Sequence, residues 1–482
     1  MIIIKKSIPT FLFFVFIICC VYNTGNAQNQ IGTLNNIESS FLSNASVGIS
    51  IKKIKNDSVI YDYNGNKNLI PASVLKLVTA YCILEQKGAD YTFKTSLQHT
   101  GIIKQDTLWG NLIIKGGNDM SLGSRYFYTS TDIVFKNIIG YLGFKVIMGD
   151  IIVDISRFDN EYVHPTWTWQ DLGNYYGCGV YGLSFLDNSF EIKFNANGKL
   201  NEPAQINSIN PSLIDISIDN DVCVGLQGSG DNAYLYGYYN SKTYQAKGSL
   251  AKRAELYTLK GSLPNPPLLF AEMFRNYITS NGYFVKGKAL VSNDKIADTV
   301  FNLGFISSPP LKELIKNMNE KSNNMFAEHF FKEFSADILT QGSFDKSATF
   351  VKQFLTQKVK NSEQINVVDG SGLSRFNTIS AEVLTSILVN IANGKNYRVF
   401  KESLAVSGKT GTLSSFGVNS ALNGAIYAKT GSMTRVRSLA GYIKAKSGSE
   451  YAFSIIINNF NSSHADIRKW TEDFLLQFYL NN

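Results

Sequence analysis

The sequence predicts a mixed α/β domain that is interrupted by a mostly β insertion. Between Ala45 and Tyr63 the chain has two strand-like runs around a polar turn, and a helical pattern follows. From about Gln98 to Thr299 short strand-like runs alternate with Gly and Asn turns. Helical periodicity returns after Pro310, and three strand-like runs follow between Ala425 and Ile457. A chain of 482 residues is long enough for two or three domains.

The first 27 residues have the pattern of a secretory signal peptide. Lys5 and Lys6 precede the apolar run Phe11–Val21, and small and polar residues lead up to Ala27. The run is too short to span a bilayer comfortably. We therefore predict cleavage at or near Ala27, export to the periplasm, and a mature chain without a transmembrane anchor.

Ser73 and Lys76 form the first candidate catalytic pair. Residues at i and i+3 of a helix share a face, so an unprotonated Lys76 could take the proton of the Ser73 hydroxyl. Pro71 stops any upstream helix and an apolar run follows, which predicts Ser73 at a helix N-terminus. Backbone N–H groups and the helix dipole would favour an oxyanion there. The competing interpretation is a serine N-cap beside a surface lysine.

The Ser-x-x-Lys spacing is not specific by itself, because the chain repeats it. The other pairs are Ser50/Lys53, Ser249/Lys252, Ser292/Lys295 and Ser343/Lys346. Only Ser73 has both a proline just before it and a long apolar run after it. The flanking sequence therefore selects Ser73.

Ser322 and Asn324 form a second candidate element, a Ser-x-Asn in a loop between two predicted helices. Such a serine can pass protons between the attacking serine and a leaving amine, and the asparagine amide can hold a substrate peptide bond. Taken alone, Ser322 is also an ordinary helix N-cap.

A Lys-Thr-Gly triplet occurs twice, beginning at Lys409 and at Lys429. The second triplet is strand-like and precedes two further strand-like runs, whereas glycines place the first in a loop. On a strand, Lys429, Thr430 and Gly431 could bind a carboxylate and let a peptide lie against the backbone. A turn with a solvated lysine is the competing interpretation of either triplet.

Charge and reactive side chains argue against several classes of protein. The formal net charge of +8 is spread without dense basic patches, so no nucleic-acid partner is predicted. Cys82, Cys178 and Cys223 are odd in number after the signal segment and lack C-x-x-C spacing, which argues against a zinc site or disulfide framework. The four histidines are scattered. We therefore expect no metal and no cofactor, and a Ser-His-Asp mechanism has no visible support.

Taken in order, Ser-x-x-Lys, Ser-x-Asn and Lys-Thr-Gly resemble the motifs of the penicillin-binding protein and serine β-lactamase superfamily. The long interval between Ser73 and Ser322 is similar to that of the class C low-molecular-mass penicillin-binding proteins, the D-alanyl-D-alanine carboxypeptidase/endopeptidase family. Further strings that fit this family are Pro71–Ser73, Trp169–Leu172 before Tyr176–Gly177, Asp369–Arg375 and Gly408–Leu413. The resemblance covers nearly the whole chain after the signal segment.

The resemblance implies a penicillin-binding transpeptidase-like domain, an antiparallel sheet flanked by helices, which is interrupted by β-rich inserted domains. The catalytic domain would comprise residues 28–95 and 305–482, and the insertion residues 96–304. Members of the family often lack a lysine at the position of Lys409, so Lys409 is assigned no catalytic role.

The resemblance also implies a reaction on peptidoglycan stem peptides, with β-lactams as inhibitors. Ser73 would be acylated by the penultimate D-alanine, and water would then release the product. Burial and the charge of Lys429 would lower the pKa of the base Lys76. The catalytic residues implied are Ser73, Lys76 and Ser322, and the substrate-binding residues are Asn324, Lys429, Thr430, Gly431, Ser432 and Asp171. Backbone N–H groups of Ser73 and Ser432 would form the oxyanion hole, and Asp171 would recognise the diamino-acid side chain.

Two alternative functions stay open at this point. A serine β-lactamase would use the same motifs together with a positioned deacylating base. A non-catalytic cell-wall binding protein would keep the fold, although every catalytic side chain is present. The motifs do not separate carboxypeptidase from endopeptidase activity or specify an oligomeric state.

Overall fold

The computed structural model describes residues 41–482 apart from Thr129, Asn240, Ala297 and Asp298. The predicted signal peptide, residues 1–27, lies outside the described residues. The strands are β1 (Ser46–Lys53), β2 (Ser58–Tyr63), β3 (Asn68–Leu69), β4 (Lys94–His99), β5 (Ile102–Lys104), β6 (Thr107–Trp109), β7 (Leu112–Lys115), β8 (Val146–Ile147), β9 (Ile151–Asp154), β10 (Ser189–Asn195), β11 (Gln205–Asn210), β12 (Ser217–Gly225), β13 (Tyr234–Tyr236), β14 (Thr243–Ala251), β15 (Tyr257–Ser262), β16 (Phe284–Val285), β17 (Ala289–Ser292), β18 (Phe301–Ser307), β19 (Ile379–Ser380), β20 (Ala405–Val406), β21 (Ile426–Met433), β22 (Val436–Lys444) and β23 (Glu450–Asn458). The α-helices are α1 (Lys76–Lys87), α2 (Thr131–Ile139), α3 (Trp169–Leu172), α4 (Pro266–Ser280), α5 (Leu311–Lys321), α6 (Asn324–Ala336), α7 (Phe344–Lys358), α8 (Ala381–Ala392), α9 (Tyr397–Glu402) and α10 (His464–Asn481).

The largest sheet joins the two ends of the described chain. Its six strands run in the order β2-β1-β23-β22-β21-β20, and all neighbours are antiparallel. β1 pairs with β23 along its whole length, with Ser46 opposite Asn458 and Lys53 opposite Tyr451. The second triplet therefore lies on β21, near one edge of this sheet, next to the short strand β20.

Helices cover both faces of the large sheet. Side chains of a strand alternate between the two faces, and on β22 Leu439 and Ile443 pack with α10, whereas Ala440 and Tyr442 pack with α1, α6 and α8. α1 is the central helix of the second layer, because its residues from Lys76 to Leu84 are all buried. This burial fixes the position of Lys76 relative to the sheet.

Between β4 and β18 the chain builds sheets of its own. They have the orders β17-β9-β7-β4-β18, β16-β8-β6-β5, β11-β10-β15 and β12-β14-β13. β4 and β18 pair with each other, with Lys94 opposite Ser307, so the chain enters and leaves this region side by side. The region also contains α2 and α4, which the sequence pattern did not predict, and their buried rings Phe135, Phe270 and Phe274 pack together.

No helix within residues 41–482, as far as they are described, is long and apolar enough to cross a membrane.

Candidate active site

Ser73 lies in a tight 3-10 turn, Ala72–Leu75, that leads directly into α1. The turn begins with Ala72 at a positive φ of 49°, a conformation that is costly for a residue with a Cβ and that occurs preferentially at functional sites. In the part of the chain that the structure describes, no side chain caps either the turn or α1. The competing interpretation of Ser73 as an N-cap is therefore wrong.

The Lys76 ammonium group lies against the Ser73 hydroxyl. Lys76 is 0% exposed, and its Nζ is 2.9 Å from Ser73 Oγ, 2.7 Å from Asn324 Oδ1 and 2.7 Å from the Ser371 carbonyl oxygen. Burial disfavours the charged form and lowers the pKa of Lys76 to about 7. The lysine can therefore lose its proton near neutral pH and accept the proton of Ser73.

Two buried acidic side chains, Glu328 and Asp369, oppose the lowering of the Lys76 pKa. The sequence analysis did not predict this role. The carboxylates of Glu328 and Asp369 raise the pKa of Lys76 against the effect of burial. Glu328 accepts hydrogen bonds from the Gly370 and Ser371 N–H groups, each at 2.8 Å, and so holds the backbone whose carbonyl contacts Lys76. Burial and Asp369 raise the pKa of Glu328 to about 8. The sequence signal that could have revealed Glu328 was its position as an acidic residue inside the apolar run of the helix predicted from Met325 to Phe334.

Ser322 lies between α5 and α6 but does not cap the second helix. It ends α5 in a left-handed conformation, with φ 57° and ψ 38°, while the Asn323 side chain accepts from the Phe326 N–H and caps α6. The N-cap interpretation of Ser322 is therefore wrong. The Ser322 hydroxyl instead accepts a hydrogen bond from Lys429 Nζ at 2.8 Å.

Lys429 is the second buried lysine of the site. It lies on β21, is 0% exposed, and also donates to the Thr430 carbonyl oxygen at 2.7 Å. Burial, then the nearby charges of Lys76 and Arg437, hold its pKa well below the usual lysine range. Each of the two buried lysines thus contacts a serine hydroxyl, Ser73 or Ser322.

Gly431 lets β21 approach the turn that carries Ser73. A Cβ at this position would lie 2.1 Å from Ser438 Oγ, 2.7 Å from the Pro71 carbonyl oxygen and 3.0 Å from the Ser73 nitrogen. Only glycine fits so close to another backbone. Ser432 follows at the exposed rim of the strand.

A cleft of about 370 Å³ joins the serines to residues from the inserted region. Asn324 Nδ2 donates to the Tyr176 carbonyl oxygen at 2.8 Å, and this bond connects α6 to the inserted region. Asp171 lies on α3 at the cleft wall, and its Oδ2 accepts from Thr168 Oγ1 at 2.6 Å. The sequence-predicted residues that line this cleft are Ser73, Asp171, Ser322, Asn324 and Ser432. Lys76 and Lys429 lie buried behind these groups, and Thr430 lines a separate recess.

The other Ser-x-x-Lys pairs and the first Lys-Thr-Gly triplet, which the sequence analysis did not select, do not line this cleft. Ser50, Ser249 and Ser292 are on strands β1, β14 and β17, and Ser343 is the N-cap of α7. Lys409 lies in a turn outside the cleft.

A serine in contact with a lysine that can be neutral, at the floor of an open cleft, is the arrangement that a serine acyl-transfer enzyme requires. Within the described part of the chain, no group of His, Cys, Asp and Glu side chains is arranged to hold a metal ion.

Comparisons with known proteins identify the family within this class. The family model described as the D-Ala-D-Ala carboxypeptidase 3 (S13) family matches residues 34–476. The chain is 28% identical over 441 residues to the D-alanyl-D-alanine carboxypeptidase DacB of Haemophilus influenzae, covering 91% of this chain and 90% of that protein. It is 26% identical over 450 residues to the D-alanyl-D-alanine carboxypeptidase of Actinomadura sp., covering 89% and 81%. The chain therefore belongs to the D-Ala-D-Ala carboxypeptidase 3 (S13) family.

The fold agrees with this membership. The crystal structure of penicillin binding protein 4 from Haemophilus influenzae matches with a TM-score of 0.80 and 25% identity, covering 93% of this chain and 99% of that one. The predicted fold, a transpeptidase-like domain with β-rich insertions, is confirmed. The predicted class of enzyme, a serine peptidase of the D-Ala-D-Ala carboxypeptidase type, is confirmed as well.

Proposed function

We propose that this enzyme hydrolyses the D-alanyl-D-alanine ends and the D-alanyl cross-links of peptidoglycan stem peptides through an acyl-enzyme on Ser73. The observation that carries this proposal is the 2.9 Å contact between Ser73 Oγ and a fully buried Lys76 Nζ. Penicillins acylate the same serine, because a β-lactam offers it a similar carbonyl.

In the acylation step, neutral Lys76 takes the Ser73 proton while Oγ attacks the carbonyl carbon of the penultimate D-alanine. Backbone N–H groups of Ser73 and Ser432 bind the resulting oxyanion. The C–N bond then breaks, and the proton on Lys76 passes through Ser322 to the leaving nitrogen. Water next attacks the ester carbonyl carbon and gives its proton to Lys76, which returns it to Ser73 Oγ as the bond between the carbonyl carbon and Oγ breaks and the acid product leaves. The contact of Lys76 with Ser73 supports the first proton transfer, and the contact of Lys429 with Ser322 holds the Ser322 hydroxyl in the same cleft.

The remaining site residues bind the substrate in this proposal. Asn324 holds the peptide amide of the substrate with its side-chain amide. That side chain also accepts a hydrogen bond from Lys76 Nζ and donates one to the Tyr176 carbonyl oxygen. Lys429, Thr430 and Gly431 bind the peptide along the edge of β21. Ser432, at the exposed rim of β21, contributes to peptide binding.

Asp171 pairs with the free amino group of the diamino acid in the stem peptide. The half-buried position of this carboxylate in the cleft wall supports the assignment. We further propose that residues 28–95 and 305–482 form the catalytic domain and that residues 96–304 form the insertion that supplies Asp171. The N-terminal segment 1–27 directs export to the periplasm, where the substrate lies.

Labelling with a fluorescent penicillin tests the nucleophile. We expect one adduct per chain, located on Ser73 by peptide mass mapping, no adduct in Ser73→Ala, and normal labelling in the matched control Ser343→Ala. An adduct that persists in Ser73→Ala would overturn the assignment. Mass analysis of digests of cross-linked and uncross-linked muropeptides then tests both bond types, and an adduct that turns over within seconds would favour the β-lactamase alternative.

A further inference from the structure

The four-stranded sheet of the inserted region, β16-β8-β6-β5, has one face in the protein core. Leu108, Ile147 and Val285 lie on that face and belong to the core cluster that also contains residues of α2 and α4. Side chains alternate along a strand, so the neighbours of these residues in the chain lie on the second face. Among them, Val146 and Phe284 are directly opposite each other on β8 and β16. The sheet thus has a core face and an outer face.

Large apolar side chains on the outer face are exposed to solvent. Ile102 and Trp109 lie opposite each other on β5 and β6, and they are 65% and 54% exposed. Phe284 is 57% exposed. The solvated face of a sheet commonly carries polar side chains, whereas exposed apolar patches with a polar rim mark surfaces that bind a membrane or another protein. We call Ile102, Trp109, Val146 and Phe284 the apolar outer face.

Lysines form the rim of the apolar outer face. Lys104 and Lys286 each follow an exposed apolar residue of this face by two positions, so their side chains lie on the same side of the sheet. Lys145, just before β8, is also exposed. In the described part of the chain, no carboxylate lies at ion-pair distance from any of these three lysines. The exposed Asp106, in the turn between β5 and β6, adds one negative charge, so positive charge predominates.

Positive charge around an apolar face selects the class of partner. A second copy of this chain joined by a two-fold axis would bring identical patches together, and it would place the unpaired lysines of both copies side by side. An anionic surface instead neutralises the lysines, and binding about 5-fold tighter is expected for each lysine near an anionic membrane. Tryptophan suits the headgroup layer of a membrane, because its ring is apolar and its N–H is polar.

We propose that the apolar outer face and its three lysines bind the surface of an anionic phospholipid bilayer, with Ile102, Trp109 and Phe284 in the headgroup layer. None of these residues lines the cleft that contains Ser73, so the contact leaves the cleft free for a substrate. This binding is independent of the proposed reaction. Interfacial binding scales with the buried apolar area and with the attraction to anionic lipid, so loss of either contribution should weaken it.

Co-sedimentation of the purified enzyme with lipid vesicles tests the proposal. At about 0.1 M salt we expect a partition coefficient about 10-fold or more higher for phosphatidylcholine vesicles with about 30% phosphatidylglycerol than for phosphatidylcholine alone. Most of this difference should disappear at about 1 M salt. The double variant Lys104→Gln/Lys286→Gln should bind the anionic vesicles about 25-fold more weakly, and Trp109→Ser should bind them about 10-fold more weakly.

The inserted region supplies matched controls for both contributions. Leu226→Ser removes an apolar side chain that is 64% exposed, just after β12. The double variant Lys193→Gln/Lys199→Gln removes the same charge from exposed positions on and after β10. Both controls lie outside the apolar outer face, so both should bind the anionic vesicles as the wild-type enzyme does.

Four results would overturn the proposal. Three are equal partition into the two kinds of vesicle, unchanged binding in Lys104→Gln/Lys286→Gln, and an equal loss in Lys193→Gln/Lys199→Gln. The fourth is a dimer, detected by light scattering, that Trp109→Ser abolishes, because the face would then bind a second copy of the chain. The wild-type comparison of vesicles and salt needs no variant, so it tests the proposal even if circular dichroism shows that a variant fails to fold.

Discussion

The protonation state of Lys76 predicts how acylation depends on pH. Burial lowers the pKa of this lysine to about 7 from the ordinary value of 10.5, and only the neutral amine can take the Ser73 proton. Raising the pH removes the proton, so the acylation rate should rise through pH 7 and reach a plateau above it. Relative to the plateau, the rate should be about one half at pH 7, about one tenth at pH 6 and about one hundredth at pH 5.

The assay is the second-order rate constant of fluorescent-penicillin labelling between pH 5 and pH 9. Lys409→Ala is the matched control, because that lysine lies outside the cleft, and its profile should keep the wild-type midpoint. A lysine with an ordinary pKa would give a rate that still rises steeply at pH 9. Such a rise, or a flat profile from pH 6 to pH 9, would refute the assignment of Lys76 as the base.

Two further predictions concern substrate binding. Lys429→Ala should reduce peptidase activity by about 100-fold or more, since it removes the Nζ donor that holds the Ser322 hydroxyl at 2.8 Å and a charge-assisted bond, whereas Lys409→Ala should not; equal losses in folded variants would contradict this. Asp171→Asn should weaken cleavage of diamino-acid stem peptides by about 2-fold to 5-fold and leave penicillin labelling of Ser73 nearly unchanged. If labelling fell in parallel, Asp171 would be a structural residue.

Local sequence was enough to predict the helix start that carries Ser73 and the strand of the second triplet. Proline before Ser73, the apolar run after it, and the strand pattern around Lys429 are all properties of about ten neighbouring residues. The same local patterns separated Ser73 from Ser343 and Lys429 from Lys409. Their relative order along the chain then indicated the family.

Some local interpretations failed because capping depends on backbone geometry. Serine is a residue type that often caps helices, yet Asn323 rather than Ser322 caps α6. Ser322 adopts a left-handed conformation, and its hydroxyl contacts Lys429. The helices α2 and α4 of the inserted region were not predicted for a different reason, the ambiguity of short apolar runs. The apolar side chains of α2 and α4 are buried by each other and by the sheet, and a short apolar run does not by itself distinguish a strand from a helix.

The sequence by itself determined which side chains are available, on which kind of element they lie, and therefore the fold and the class of reaction. Only the tertiary structure decided their protonation and their partners. The pKa of Lys76 depends on burial and on Glu328 and Asp369, which are distant in sequence. The contact of the Lys429 Nζ with the Ser322 hydroxyl joins two residues that lie 107 positions apart in the sequence. Electrostatic interactions act through space, so residue order cannot specify them until the chain has folded.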